Sequence, residues 1–298
     1  MKVRAFAKIN LGLKILGKRA DGFHEIDTIF ARIGLADELE FRARGDSKII
    51  LKTENATIPT RENLVFRAAW ILQKFVPGNP GVEISLRKKI PLGAGLGGGS
   101  ADAAAVLRNL PRIWGARIPR EKLKKIAAEL GSDVPFFLEK SACRARGRGE
   151  ILEPIVLPKK FPREIIVVVP PVKIATAWAY GRIKDKGLRS KDKKIPPFRL
   201  GGTTPFAKGG LIPPFCKGRC PERSEGRRDF KNDFERVVFR EYPQIRKIKT
   251  ALEKAGAMLA SLSGSGSAVF GLFHEKPKCE LIQQFEKVGR VFVGKIRA

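Results

Sequence analysis

Histidine is nearly missing from this chain. Its 298 residues include two, His24 and His274, beside four cysteines, two tyrosines, two methionines and three tryptophans. Metal-ligating side chains are therefore scarce. Cys216 and Cys220 are spaced like a metal pair, but the second tight pair that a four-ligand zinc site wants is absent, since Cys143 and Cys279 stand alone. We read all four as free thiols. No uninterrupted apolar run approaches the ~20 residues that span a bilayer. Apolar and charged residues alternate from Val3 onward, which is not the apolar core of a signal peptide. A soluble, cytoplasmic protein without a membrane partner is expected. Acidic residues are scarce too: thirty against fifty-nine basic ones, a formal net charge of +29. That excess favours polyanions, whether nucleic acid or a phosphorylated small molecule. The basic residues run through the whole chain, and aromatics do not interleave with them as on an RNA-stacking sheet. Nucleic acid is not the expected partner, and part of the excess is solvated surface.

What is present suffices for a sizeable core, since 43% of the residues are hydrophobic, and the length suits two domains. Val3, Ala5, Ala7, Ile9, Leu11, Leu13 and Ile15 recur with period two, which predicts a long half-buried strand. Lys8 and Asn10 share its opposite face, which on position alone is either a solvent face or the wall of a site. LEFRAR and KIILKTE, on either side of Gly45-Asp46-Ser47, predict a hairpin. Asn63 is placed to cap a helix carrying Leu64, Ala68, Ile71, Leu72 and Phe75. VEISLR (82–87) predicts a strand, and Pro119 and Gly131 bracket a helix. A domain boundary is expected near Pro154 and Pro158, dividing the chain into 1–158 and 159–298. The second half reads as strand EIIVVV (164–169), two helices over roughly 233–255, strands MLASLS and SAVFGLF around a Gly-Ser turn, a helix, and strand RVFVGKI. That order suggests an α+β domain. Between Lys184 and Lys231 lies a degenerate P-F-x-x-G repeat at Pro197, Pro205 and Pro214. We expect a low-complexity insertion there, about 185–230, mostly disordered or loosely held on the surface.

The stretch IPLGAGLGGGSADAAA (90–105) holds five glycines in seven residues, Gly93 to Gly99. A linker is excluded by context, because a strand enters it and an alanine-rich helix, read as capped by Ser100 and ending about Leu110, leaves it. A Walker A loop needs Gly-Lys-Ser/Thr, and here Gly99-Ser100 has no lysine. Gly93, Gly95 and Gly98 match G-x-G-x-x-G, but Glu121, the acidic residue near the required distance, falls in a helix and not at a strand end. What survives is a loop whose glycines bring backbone amides close to an anion, followed by the positive end of a helix. The expected ligand is the phosphate chain of a nucleotide.

PLGAGLGGGSADAA resembles the second motif of the GHMP kinases (galactokinase, homoserine kinase, mevalonate kinase and phosphomevalonate kinase). AKINLGL (7–13), RADGFHEIDT (19–28), GSDVPFFL (131–138), ARGRGEIL (145–152), NDFE (232–235) and SLSGSGSAVFGLF (261–273) follow in order. They are similar to the branch whose acceptor is an alcohol linked to cytidine diphosphate, in non-mevalonate isoprenoid synthesis. The resemblance implies a two-domain α/β fold, with an N-terminal ribosomal-protein-S5-like domain and a C-terminal ferredoxin-like α+β domain. It implies ATP and Mg²⁺, a cytidine diphosphate-linked methylerythritol as substrate, and a monomer or weak homodimer. By resemblance Asp133 is the catalytic base and Lys8 sits beside it, with Asn10 on the substrate side. The nucleotide is assigned to Asn63, Lys88, Pro91, Gly93, Gly95, Leu96, Gly97, Gly98, Gly99, Ser100 and Ala101, with Ser100 approaching Mg²⁺. The acceptor is assigned to Phe23 and Tyr180, with the base stacked between them, His24 at the polar edge of the base, Thr176, and the turn Gly264, Ser265 and Gly266. Phe23 stands where the family usually has tyrosine, so the stack is kept and a hydroxyl is lost. Deleting about 190–228 is expected to leave a cooperative thermal melt; a non-cooperative melt would show that the insertion packs.

Overall fold

Strand β1 (Lys2–Lys18) turns through Arg19–Phe23 into β2 (His24–Arg44), and the two run antiparallel along nearly their whole lengths. The computed structural model describes residues 1–54, 58–183 and 230–297. The expected insertion, with its P-F-x-x-G repeat, Cys216 and Cys220, lies outside the described residues apart from Phe230. Strand β2 is the spine. On the edge away from β1 it pairs in turn with β5 (Ala142–Arg146), β10 (Arg290–Arg297) and β4 (Gly81–Arg87), all antiparallel. Strand β3 (Ile49–Thr53) lies parallel to β4, and β6 (Ile151–Ile155) pairs with β5. Beyond β10 the order continues through β7 (Glu164–Val169) and β9 (Val269–Phe273) to β8 (Leu259–Leu262). Taken alone, β7 to β10 have the 4-1-3-2 antiparallel order of a βαββαβ, ferredoxin-like unit. The expected α/β architecture is present. The last strand returns to the first hairpin at Ile296 and Ile33, so one ladder joins the two halves.

Three apolar clusters organise the interior. The first packs helices α1 (Leu64–Gln73), α2 (Gly98–Ile113), α3 (Arg120–Leu130) and α4 (Val134–Leu138) on the N-terminal sheet, around Phe30, Phe41, Ile84, Leu107 and Phe136. The second joins the sheets through Ile9, Leu11, Ile33, Val167, Phe270 and Ile296. The third holds α5 (Thr176–Gly181), α6 (Glu235–Glu241) and α7 (Pro243–Lys254) against the C-terminal sheet, around Ile166, Val168, Phe234 and Ile248; Phe285 of α8 (Cys279–Glu286) joins it. Strand β1 contributes to all three: Ala5 to the first, Ala7, Ile9 and Leu11 to the second, Leu13 and Ile15 to the third. Register shifts between Phe6 and Lys8 and between Asn10 and Leu13 make this possible. The first shift sets extra residues of β2 against β1, and the second puts one extra residue in β1, which re-aims that strand. The period-two expectation of a half-buried strand is thereby corrected. Residues 7–13 are buried on both faces, including Lys8 at 4% and Asn10 at 1% exposure.

Two local expectations also change. The hairpin of LEFRAR with KIILKTE does not form, because β4 inserts between β2 and β3 and takes both as partners. Asp46 shapes the turn instead, accepting from Arg44 and from the Lys48 amide, and the Lys48 carbonyl accepts from Val82. Gly81 permits this closeness: a Cβ there would stand 2.7 Å from the Lys48 carbonyl oxygen and 2.9 Å from the Asp46 carboxylate. Helix α2 begins at Gly98, two residues before Ser100, and continues through Pro111 to Ile113. Its cap is Gly97 at φ 70°, which is why the position suits glycine and not serine. Gly81→Ala is expected to cost about 1–3 kcal/mol of stability. Urea unfolding measures it, and an unchanged midpoint would contradict the close approach.

Candidate active site

Lys8 is buried where β1, the glycine loop and the start of α4 meet. Its ammonium donates to Asn10 Oδ1 at 2.6 Å, pairs with Asp133 Oδ2 at 3.3 Å and lies 4.8 Å above the Phe30 ring. The orientation of Asn10 is fixed in turn, since its amide donates to Thr28 Oγ1 at 2.9 Å and that hydroxyl donates to the Gly12 carbonyl at 2.6 Å. Asp133 occupies the N-cap position of α4, yet its carboxylate makes no capping hydrogen bond. The carboxylate instead faces the ammonium, partly open to solvent. The other end of α4 is tied down by two guanidinium groups. Arg32 donates to the carbonyls of Phe136, Phe137 and Glu139, and Arg108 donates to that of Phe137. Burial, with the nearby Arg108 charge, lowers the Arg32 guanidinium to about 10, and burial lowers Arg108 as well.

The glycine loop closes over Lys8. The Lys8 amide donates to the Leu96 carbonyl at 3.0 Å, and a Cβ on Gly97 would meet both the Lys8 stem and the Phe137 ring at 3.0–3.2 Å. Gly95, at φ 76°, packs directly on the Ser263 carbonyl, and the Ser263 hydroxyl donates to the Gly95 carbonyl at 2.9 Å. Gly264 in turn lies against Gly95 and Asn10 Oδ1. The two glycine turns, 170 residues apart, thus form one surface beside Lys8. The amides of Gly98, Gly99 and Ser100 open helix α2 and have no intrahelical partner, so they are available to an anion. Ala101 differs: its amide donates to the Gly97 carbonyl at 2.9 Å. Leu96 is buried, so its role is to anchor the loop. Asn63 caps α1 through the Val65 amide at 2.9 Å, as expected, and the adjacent Leu64 touches Gly99. Pro91 and Gly93 form the open outer side of the loop.

Lys88 does not reach out from the loop. Its ammonium lies beneath Gly98, between Asp37 Oδ2 at 2.5 Å and Asp102 Oδ2 at 2.7 Å. Tyr180 stacks on His24, with centroids 4.7 Å apart and an interplanar angle of 22°, and meets Phe234 edge-on. Phe23, expected on the other side of the base, is about half exposed, with the Arg148 guanidinium 4.6 Å from its ring centre. The turn that carries Phe23 leaves its ring outward, while strand β2 begins at His24 and turns that ring inward. Burial first, and the Asp133 charge second, push the Tyr180 phenol up to about 12, so it remains a donor. Thr176 Oγ1 lies 3.1 Å from Ser265 Oγ, which joins α5 to the second glycine turn.

Several residues that shape the site were not singled out by sequence reasoning. Asn232 donates to the carbonyls of Leu262 and Gly264, both at 2.8 Å, and Asp233 accepts from the Ile15 amide at 2.9 Å. Glu235 accepts from Ser261, the Leu262 amide and Lys249. NDFE is therefore a clamp between β1 and the second glycine turn. A polar cluster within one motif was the available signal. Thr28 carried a weaker one, as a small hydroxyl at the end of DGFHEIDT. Thr28→Val is expected to cost about 1–3 kcal/mol, because Asn10 and Gly12 each lose a buried partner, and to lower turnover about tenfold or more. Urea melts and initial rates check both, and wild-type values would remove Thr28 from the account.

Residues 63–140 match the GHMP kinases N terminal domain family, and residues 218–291 match the GHMP kinases C terminal family. The 4-diphosphocytidyl-2-C-methyl-D-erythritol kinase of Prosthecochloris aestuarii is 43% identical over 94% of this chain and 91% of its own. That of Chlorobium phaeobacteroides (strain BS1) is 42% identical over 96% and 93%. A crystal structure of 4-(cytidine 5'-diphospho)-2C-methyl-D-erythritol kinase superposes with a TM-score of 0.76 at 31% identity, covering both chains fully. Homoserine kinase from Cytophaga hutchinsonii, with a TM-score of 0.68 at 18% identity over all of this chain and 95% of its own, shares the fold. With its cleft built from both glycine turns and these relatives spanning nearly its whole length, the chain belongs to the 4-diphosphocytidyl-2-C-methyl-D-erythritol kinase family of the GHMP kinases.

Proposed function

We propose that this chain transfers the γ-phosphoryl group of ATP to the 2-hydroxyl of 4-diphosphocytidyl-2-C-methyl-D-erythritol, giving the 2-phosphate and ADP, in non-mevalonate isoprenoid precursor synthesis. The observation that carries the reading is the Lys8–Asp133 pair, 3.3 Å apart, at the seam of two glycine turns. Phosphoryl transfer asks a protein for positioning and positive charge more than for covalent chemistry. Asp133 accepts the proton of the attacking hydroxyl as its oxygen bonds to phosphorus and the bond to the β-phosphate oxygen breaks. Lys8 stays protonated and stabilises charge on the transferring group. Asn10 and Thr28 hold its ammonium in place. The amides of Gly98, Gly99 and Ser100 take the nucleotide phosphates, while Gly264 and Ser265 offer theirs to the acceptor diphosphate and the Gly266 amide closes the turn on the Ser263 carbonyl at 2.9 Å.

Mg²⁺ enters this reading as part of the nucleotide substrate. Among the described residues no group of three histidine, cysteine or acidic side chains is placed to hold a metal. Asp133 is paired with Lys8, and the Ser100 hydroxyl is the side chain we assign to approach the ion. Asn63 lies at the adenine end, beside the loop. For cytosine, Tyr180 supplies the stacking face, His24 turns its nitrogens to the polar edge, and Phe23 closes from outside. No helix among the described residues is long and apolar enough to cross a membrane, and the reaction requires neither a membrane nor nucleic acid.

A coupled ADP-release assay with Mg-ATP and the cytidyl acceptor, homoserine, mevalonate or no acceptor tests the assignment. Turnover confined to the cytidyl acceptor is expected, and turnover on another alcohol would discard the cytidine pocket. Asp133→Ala is expected to lower kcat about 10²–10⁴-fold with the thermal melt intact; near-full turnover would remove Asp133 from the mechanism.

A further inference from the structure

Directly under the first turn of α2 lies a group of buried charges that the mechanism above does not use. Asp37 of β2 is fully buried, Asp102 of α2 is 1% exposed, and the Lys88 ammonium bonds to one carboxylate oxygen of each. The remaining Asp37 oxygen accepts from the amides of Lys89 at 2.5 Å and Ile90 at 2.8 Å. Those amides open the glycine loop, and Asp102 lies in the helix that ends it. The group thus ties both ends of the loop to one point on β2. A Cβ on Gly98 would stand 3.1 Å from Lys88 Nζ, so this charge lies against the backbone we assign to the nucleotide phosphates.

Two carboxylates share one ammonium, and Asp102 Oδ1 has no hydrogen-bond partner among the described residues. An ionised carboxylate with a bare oxygen in a dry interior is costly. We propose that Asp37, Lys88 and Asp102 form a positioning unit for the ATP loop, and that the loop binds nucleotide best while Asp102 carries a proton. With that proton the unit is neutral; without it a net negative charge lies beneath a site for phosphates. Burial first pushes the Asp102 carboxyl up to about 8, with the Asp37 charge adding to it and Lys88 opposing. Burial would lower the Lys88 ammonium, but Asp102 and Asp37 together leave it raised. Lys88 and Asp37 are the charged groups acting on Asp102. Helices α1, α3 and α4 present apolar side chains to α2 through the core, and β1 brings Lys8, whose ammonium is turned to Asp133.

The inference rests on the reading that the loop binds ATP, so the test measures nucleotide binding without an acceptor. Calorimetric titration of the full chain with Mg-ADP, in two buffers of different ionisation enthalpy and between about pH 6.5 and 9.5, reads affinity and proton uptake together. The wild type is expected to take up protons near pH 8 and to lose about fivefold to tenfold in affinity as pH rises through that range. Asp102→Asn, which mimics the neutral acid, is expected to abolish both effects. Lys88→Met is expected to raise the KM for Mg-ATP about tenfold or more while the acceptor KM stays within about twofold. Nucleotide binding without proton uptake, or the same pH slope in Asp102→Asn, overturns the proton-linked unit and leaves the kinase reading standing. Absence of nucleotide binding at every pH overturns the ATP loop itself. The wild-type titration decides the matter even if a variant fails to fold.

Discussion

A lysine ammonium held almost out of water constrains the whole active site. An unpaired charge at that depth would be lost by deprotonation or avoided by refolding. The Lys8 ammonium is met by a carboxylate, an amide oxygen and an aromatic face, each from a different part of the chain. Asp133 arrives on a five-residue helix, too short to stand alone, whose far end is held by Arg32 and Arg108. Asn10 is fixed through Thr28, which β2 places opposite β1. The long first hairpin and the helical layer thus hold one cation in place.

The backbone around that cation is as demanding as the side chains. Two glycine turns from opposite halves of the chain touch at Gly95 and Ser263, where any Cβ would intrude on a carbonyl. Neither turn is fixed by its own sequence. The first is anchored below by Asp37, Lys88 and Asp102, and the second by Asn232, which uses both amide hydrogens on the carbonyls of Leu262 and Gly264. Since β10 pairs with β2, the two turns belong to a single hydrogen-bonded framework.

Much of this was legible in the residues. The glycine loop, the strands VEISLR and EIIVVV, the Asn63 cap and the pairing of Lys8 with Asp133 lie where their motifs put them. What was not legible depends on contacts between distant segments. Alternation in β1 gave no hint of the register shifts against β2, because these are set by the partner strand. The hairpin after β2 failed because β4, about thirty residues on, competes for the same edge. Ser100 is a good cap by preference, but packing of Gly97 against Lys8 and Phe137 starts the helix earlier. Lys88 reads like a phosphate ligand in sequence, and its two buried carboxylate partners come from β2 and α2. The stacking of His24 on Tyr180 was not legible either, because it depends on where β2 begins.

The position of the γ-phosphate tests the central claim most directly. A crystal structure with a non-hydrolysable ATP analogue and the cytidyl acceptor would locate it. The account predicts a phosphate held by the amides of Gly98 to Ser100 within reach of Lys8 Nζ, and an acceptor hydroxyl hydrogen-bonded to Asp133. Phosphates bound away from the glycine loop, or an acceptor hydroxyl remote from Asp133, would contradict it.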